Sequence, residues 1–297
     1  MKGIRPADLV TFLAVARHLS FSRAATELGV SPSALSHTIR GIEGRLGVRL
    51  LNRTTRSVSL TEAGERLVSR IEPAFRDIDD ALDDLNASQG RVVGKLRIGI
   101  GLVAARVALL PVVAGFLARY PEVEIEVVTD DALVDVVAEG LDLGVRFGER
   151  IAGDMIAVPL VPRMRSLVVV SPGCLARHRV PRTPHDLQGL PCIRQRFPSG
   201  AMYHWEFERG GIALETEVDG PLILRDMTLC SQAALDGLGF AFVFEKLIED
   251  DLAAGRLVGL LEDWCPYHPG MFVYYPGRRQ PPTVLKAFVD YVREHPQ

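Results

Sequence analysis

The sequence predicts an α/β chain in three parts: a small all-α head over residues 1–60, a connecting helix over 61–90, and a larger α/β region over 91–297. Three observations carry this. Apolar residues at the start recur at helical spacing and are divided by Ser and Gly. Residues 67–85 hold an unbroken apolar repeat of 4-3-4-3-4. From Lys95 onward, period-two stretches alternate with helical ones, as strands joined through helices do.

The chain has 297 residues, enough for two or three cores, and its 47% hydrophobic and 24% charged content suits a soluble globular protein. No stretch approaches the roughly 20 apolar residues of a membrane span, and the N-terminus has no signal-peptide core. These features lead us to expect a cytoplasmic protein without a membrane partner. Charge is unevenly distributed: residues 1–60 carry nine Lys/Arg against three Asp/Glu, 61–90 three against eight, and 91–297 22 against 26. A basic head on an otherwise acidic chain suggests a local polyanion-binding module.

In the head, Asp8 to Leu19 reads as a helix with Leu9, Phe12, Leu13 and Ala16 on one face. Ser22 is a fitting N-cap for a second helix over Arg23–Leu28, where Ala24 and Ala25 permit close approach of a neighbour. Gly29 turns the chain and Val30 is expected to plug the space beneath. Ser31-Pro32 opens a third helix with apolar residues Leu35, Ile39, Ile42 and Leu46 on one stripe. Ser33, Ser36, His37 and Arg40 gather on roughly the opposite side. A helix-turn-helix needs this division, with one stripe buried and the other free to enter the major groove. Gly47 ends the helix, and residues 48–60 read as two short extended pieces around a basic tip, a wing that places Arg53 and Arg56 near phosphates. A small helical domain with a solvated charged face would show the same spacing.

Residues 21–40 and 46–64, from Phe21-Ser-Arg-Ala-Ala to Leu60-Thr-Glu-Ala-Gly64, closely resemble the LysR-type regulators. Leu51 stands where that family often has phenylalanine. The resemblance implies a winged helix-turn-helix with Ser33, Ser36, His37 and Arg40 facing the groove, and Arg53, Thr54 and Arg56 at the backbone or minor groove. It also implies double-stranded promoter DNA, a small-molecule effector and self-association as partners, and RNA polymerase if the protein activates transcription.

Thr61 can cap the connecting helix, with Glu62 and Glu65 near its positive end. Leu67, Ile71, Ala74, Ile78, Ala81 and Leu85 form the narrow seam, which Val68, Phe75 and Leu82 widen. A narrow seam suits a partner helix and a wide one suits a domain core, so both contacts are compatible with the pattern. By resemblance Leu67, Ile71, Ala74, Ile78, Leu82 and Leu85 serve a homodimer and, beyond it, a homotetramer. Asn86 to Gly90 is a polar exit.

In the third part, strands are expected at Lys95–Gly101, Val123–Val128, Leu143–Phe147, Ser166–Ser171, Phe240–Phe244 and Phe272–Tyr275. Helices are expected at Val107–Tyr120, where Pro111 should interrupt early, and at Ala132–Leu141, Asp226–Leu238 and Thr283–Arg293. Gly140–Gly148 and Ala234–Phe242 resemble the family's effector domain, which implies a two-lobed, periplasmic-binding-protein-like plan. Lobe one would hold about 91–162 and 268–297, and lobe two 163–267. Gly101, Leu102, Val103, Thr129, Arg146, Phe147, Tyr203, Trp205 and Asp226 are the candidates for lining the cleft between lobes. Helix-end amides and Arg146 suit an anionic effector. Gly99-Ile-Gly-Leu-Val-Ala104 also fits a dinucleotide-binding turn, but the acid after the next strand, Asp130, lies too far along the chain.

No catalytic, metal or cofactor site is expected. The seven histidines fall in no HExxH or triad-like spacing, and Cys174, Cys192, Cys230 and Cys265 are too dispersed for a zinc site.

Overall fold

A computed structural model describes residues 3–53, 57–87, 91–129, 140–147, 155–277 and 281–296, with backbone alone at 76, 79, 80 and 83–87. The chain forms two compact units, Met1–Leu85 and Asn86–Gln297.

In the first unit, helices α1 (Pro6–His18), α2 (Phe21–Leu28) and α3 (Pro32–Leu46) enclose a core of Phe12, Val15, Ala24, Ala25, Leu35, Ile39 and Ile42. Strands β1 (Leu51–Arg53) and β2 (Val58–Leu60) pair antiparallel as a two-stranded wing, and Leu50 and Leu51 close the core beneath it. Three local expectations need correction. The N-cap of α2 is Ser20, whose hydroxyl accepts from the Arg23 amide, so the helix begins at Phe21 rather than after Ser22. Val30 is 46% exposed: once Gly29 turns left-handed, the Val30 amide returns to the Ala25 carbonyl and the side chain faces outward. Leu46 is also exposed, because the last turn of α3 overhangs the core its stripe fills.

Helix α4 (Glu62–Ala87) follows, with Thr61 Oγ1 accepting from the Gly64 amide at 3.1 Å. Leu67, Val68 and Ile71 pack against the head's own core. Pro73 lies inside the helix and withholds the amide that the residue 69 carbonyl would otherwise receive. Beyond it, Ala74, Ile78, Ala81 and Leu82 are exposed.

The second unit has two cores. Strands β3 (Gly94–Ile100), β4 (Val123–Thr129), β5 (Leu143–Phe147), β6 (Met155–Pro159) and β16 (Met271–Pro276) form one sheet in the order β4-β3-β5-β16-β6. The pairs β3–β4 and β3–β5 are parallel, whereas β16 runs antiparallel to both β5 and β6. Helix α5 (Leu102–Arg119) begins five residues earlier than the sequence pattern suggests. It passes through a π-helical turn at Ala105–Leu109, where the Leu110 amide donates to the Ala105 carbonyl. Pro111 therefore does not interrupt the helix: it has no amide to offer the Val107 carbonyl, and the widened turn before it absorbs the defect. Contrary to the expectation from the sequence that no stretch approaches a membrane span, this helix, alone among the described residues, is apolar and long enough to cross a membrane. Its Val107, Ala108, Leu109, Val112 and Phe116 are instead buried in the first core, with Val284, Leu285, Phe288 and Val292 of α7 (Thr283–Glu294). Of the helix expected over 132–141, residues 132–139 lie outside the described residues; Gly140 is left-handed at φ +64° just before β5.

The chain crosses to the second core through β7 (Arg163–Met164) and returns through β15 (His268–Pro269), and these two crossovers pair antiparallel. There β8 (Ser166–Val170) lies between β13 (Ala241–Phe244) and β14 (Val258–Leu260), both antiparallel to it. A parallel pair, β9 (Ile193–Gln195) with β12 (Leu222–Leu224), a hairpin of β10 (Trp205–Arg209) and β11 (Ile212–Thr216), and helix α6 (Met227–Leu235) complete it.

Candidate nucleic-acid interface and ligand crevice

The first site is the outer face of α3. Ser31 caps the helix, accepting from the Ala34 amide at 3.2 Å, and Pro32 supplies the fixed first turn. With Leu35, Ile39 and Ile42 buried, Ser33, His37 and Arg40 stand exposed on the other side. Arg40 lies back along its own helix, Nε donating to the Ser36 carbonyl at 3.3 Å. The result is a basic, hydroxyl-bearing helical ridge of a size that enters a major groove.

Two of the candidate residues are less free. Ser36 is half-buried, and its hydroxyl accepts from Arg53 Nη1 at 3.3 Å. The Arg53 guanidinium also donates to Glu43 Oε2 at 3.1 Å and lies 4.9 Å from the Phe21 ring centre. The other Glu43 oxygen accepts the Leu50 and Leu51 amides at 2.9 and 3.2 Å. Glu43 and Phe21 escaped the sequence reading because one carboxylate and one aromatic in a helical head look like ordinary surface and core. Thr54 and Arg56 lie outside the described residues.

The seam of α4 divides at Pro73. Leu67 and Ile71 are half-buried on the head, while Ile78 and Leu82 are 56% and 57% exposed. Ile78 and Leu82 thus leave apolar surface exposed along the second half of the helix; the Leu85 side chain lies outside the described residues.

The second site is the junction of the two lobes of the second unit. Parallel strands β3, β4 and β5 finish on one edge, which brings Gly101–Val103, Thr129 and Phe147 together: Ile100 pairs with Thr129 and Gly99 with Gly144. Because β3 connects to β4 on one side and neighbours β5 on the other, this edge is where an α/β sheet opens a crevice. Val103, Phe244 and Leu247 each pack against both cores, and the Phe147 and Phe244 rings lie 5.9 Å apart. Phe244 and Leu247 thus stand beside the candidate residues at this junction. The Phe244 amide lies 3.5 Å from Met227 Sδ, which ties this junction to α6.

Three expected lining residues have other employment. Trp205 is 1% exposed, stacked on Phe242 at 5.5 Å inside lobe two, so its ring cannot line an open cleft. Asp226 caps α6, accepting the Leu229 amide at 3.0 Å. Arg146 projects to the sheet face opposite Phe147, its guanidinium 5.3 Å from the centre of the Tyr274 ring. Tyr203 packs near Phe197 and Phe242, and burial raises its hydroxyl pKa. Thr129 is exposed at the end of β4. Val103, within the Gly99–Ala104 turn, is half-buried against both cores.

All four cysteines are buried free thiols. Burial pushes Cys192 and Cys230 up to about 12 and Cys265 to about 11, far from a reactive thiolate. Among the described residues no three His, Cys, Asp or Glu side chains gather as a metal site.

Two family models match the chain: "Bacterial regulatory helix-turn-helix protein, lysR family" over residues 6–65, and "LysR substrate binding domain" over 89–297. The HTH-type transcriptional regulator YcaN of Escherichia coli K12, described as uncharacterized, is 44% identical over 97% of this chain and 94% of its own length. PgrR of the same organism is 39% identical over 99% and 98%. Among solved structures, the full-length virulence activator AphB of Vibrio cholerae superposes with a TM-score of 0.67 at 22% identity, over 99% of this chain and 100% of that one. CrgA of Neisseria meningitidis superposes with 0.62 at 26% identity, over 98% and 99%.

Proposed function

Since this chain belongs to the LysR family of transcriptional regulators, we propose that it binds promoter DNA sequence-specifically through α3 and answers to a small organic anion held between the lobes of its second unit. The observation that carries the DNA half is the exposed ridge of Ser33, His37 and Arg40, opposite the buried Leu35, Ile39 and Ile42. Hydroxyls allow close approach, and a guanidinium reaches base edges or phosphates. The wing flanks this ridge, with Thr54 and Arg56 as its contacts.

For the effector, the chemistry of the crevice favours an apolar body against Val103, Phe147, Phe244 and Leu247. An acidic group would sit at the first-turn amides of α5, where the helix presents its positive end. Because Arg146 lies on the other face of its strand, the anion is assigned to those amides rather than to that guanidinium. Ligand would bias the lobes about the β7–β15 crossovers, by no more than its difference in affinity between the two lobe arrangements. The exposed Ala74, Ile78 and Leu82 stripe would pair with a second copy, matching a two-fold operator, and two such dimers would make a tetramer. The protein acts on the chromosome in the cytoplasm, performs no catalysis, and as an activator would meet RNA polymerase there.

The test is binding of the purified protein to its own upstream intergenic DNA, against scrambled DNA, as salt is varied. Specific binding is expected, and Arg40→Ala should weaken it and lower the magnitude of the salt slope by about one. If no specific site appears there or in a genome-wide selection, the regulator reading is wrong.

A further inference from the structure

We infer that Arg53 and Glu43 are positioning residues, a buttress that fixes the wing against the DNA-facing helix, and that Arg53 is not itself a DNA contact. The inference rests on the proposal that α3 and the wing bind DNA.

The geometry converges on one carboxylate. Glu43, on the last turn of α3, uses Oε1 to accept the Leu50 and Leu51 amides at 2.9 and 3.2 Å, at the point where the chain enters β1. Its Oε2 accepts from Arg53 Nη2 at 3.1 Å, at the far end of the same three-residue strand. A single side chain thus grips both ends of β1. Arg53 completes the fixture with a second contact on α3 and one on a further helix: Nη1 reaches the Ser36 hydroxyl on α3, and the guanidinium lies over Phe21 at the start of α2. Only 26% of the Arg53 side chain and 14% of that of Glu43 remain exposed.

A phosphate-binding arginine must offer its fork to solvent, because a bidentate contact uses two adjacent N–H groups. Here both terminal nitrogens of Arg53 already donate within the protein, one of them to a carboxylate. Recruiting it to DNA would strand the Glu43 carboxylate beside the phosphates, which like-charge repulsion opposes. The buttress gives the wing a defined height above the ridge of Ser33, His37 and Arg40, as a rigid first layer needs a fixed second one.

The two roles predict opposite signs for one substitution. Glu43→Gln removes a negative charge from a DNA-binding face, so if Glu43 were only a bystander, affinity would stay the same or rise. As a positioning residue, its loss should raise the Kd for specific DNA by about tenfold or more, the size expected for losing a charge-assisted bond. Arg53→Gln should weaken binding to a similar extent without altering the salt slope, whereas loss of a phosphate contact would lower its magnitude by about one. The double variant should bind about as well as either single one, because the two side chains act as one unit.

The experiment is a salt titration of specific and scrambled DNA with full-length wild type, Glu43→Gln, Arg53→Gln, the double variant, and Arg40→Ala as the contact control. Hydrogen exchange over residues 48–53 reads the buttress directly: Glu43→Gln should speed exchange of the Leu50 and Leu51 amides while α3 stays protected. Unchanged or tighter binding by Glu43→Gln would overturn the inference. So would a slope reduced by about one in Arg53→Gln, or Leu50 and Leu51 protection indifferent to Glu43. If wild type itself fails to distinguish specific from scrambled DNA, the proposed function fails; the exchange result still decides whether the buttress exists.

Discussion

Replacing Gly64 with alanine sets two known effects against each other. In an open helical site the change stabilises by about 1 kcal/mol, because alanine surrenders less backbone freedom. Gly64 is not open: a Cβ there would stand 2.2 Å from the Leu50 carbonyl oxygen and 3.0 Å from Leu60 Cδ2. An ordinary C···O contact needs roughly 3.3 Å, so the first turn of α4 must retreat by about 1 Å. That turn is tied down by the Thr61 amide on the Leu50 carbonyl at 3.0 Å and by the Thr61 hydroxyl on the Arg49 carbonyl at 2.7 Å. Overpacking costs about 1–3 kcal/mol, and each strained bond adds about 1 kcal/mol. Less the gain in helix propensity, the net loss is about 2 kcal/mol. For a head of this size that is roughly 10 °C in Tm. Calorimetry on the full chain would follow the head's transition, with Gly44→Ala as the control, since a Cβ at Gly44 in α3 meets nothing within 4 Å. Gly44→Ala should raise the Tm and Gly64→Ala lower it. A Gly64→Ala head as stable as the control would refute the close approach of linker and wing.

Three further outcomes are expected. The Asp8 carboxyl is held at about 2, first by its hydrogen bonds from the Arg5 side chain and backbone and then by Arg45. A lowered pKa gives stability that is complete above about pH 4 and drains away as pH falls toward 2, so Asp8→Asn should flatten the acid limb of a Tm-against-pH curve; an unchanged limb would contradict this. Trp205→Ala should cost about 3–5 kcal/mol, read as a lower denaturant midpoint for the second unit, because the ring is enclosed on Phe242; a loss below 1 kcal/mol would mean that the ring is not core. The native thiols should react with Ellman's reagent at pH 8 only on the unfolding timescale, and fast labelling of Cys192 or Cys230 would show that they are less enclosed than described.

Much of the head was legible because its signals are local. Ser31-Pro32 at the start of α3, Gly47 at its end and the apolar stripe between them determine which face is buried, without reference to distant residues. Errors arose where a side chain's fate depends on what lies beneath it. Val30 and Leu46 follow the apolar pattern yet remain exposed, whereas Leu35, Ile39 and Ile42 are buried in the head's core. Arg53 was legible as basic and as part of the wing, but its partner, Glu43, is ten positions away on another element. Along α4 the repeat is uniform, and only the location of the head's core shows that Leu67 and Ile71 pack on that core while Ile78 and Leu82 stay more than half exposed.

The crevice was harder to read because it is assembled from strand ends separated by many residues, with Gly101, Thr129 and Phe147 meeting only through strand register. Lobe two adds Phe244 and Leu247, whose apolar character alone does not separate them from core. Yet alternation along β5 contains a distinction that type-based selection of residues misses. Leu143, Val145 and Phe147 face the first core, so Gly144 and Arg146 face the other side, where a Cβ on Gly144 would strike the Tyr274 ring. Phe147 and Arg146 therefore cannot both project toward the same ligand from one regular strand, and the apolar one has the inter-lobe contact. In the proposed effector site, a charged group in the ligand would be met by the α5 backbone amides rather than by this arginine. Selectivity among acids would then come from the fit of the apolar body against Val103, Phe244 and Leu247 more than from charge.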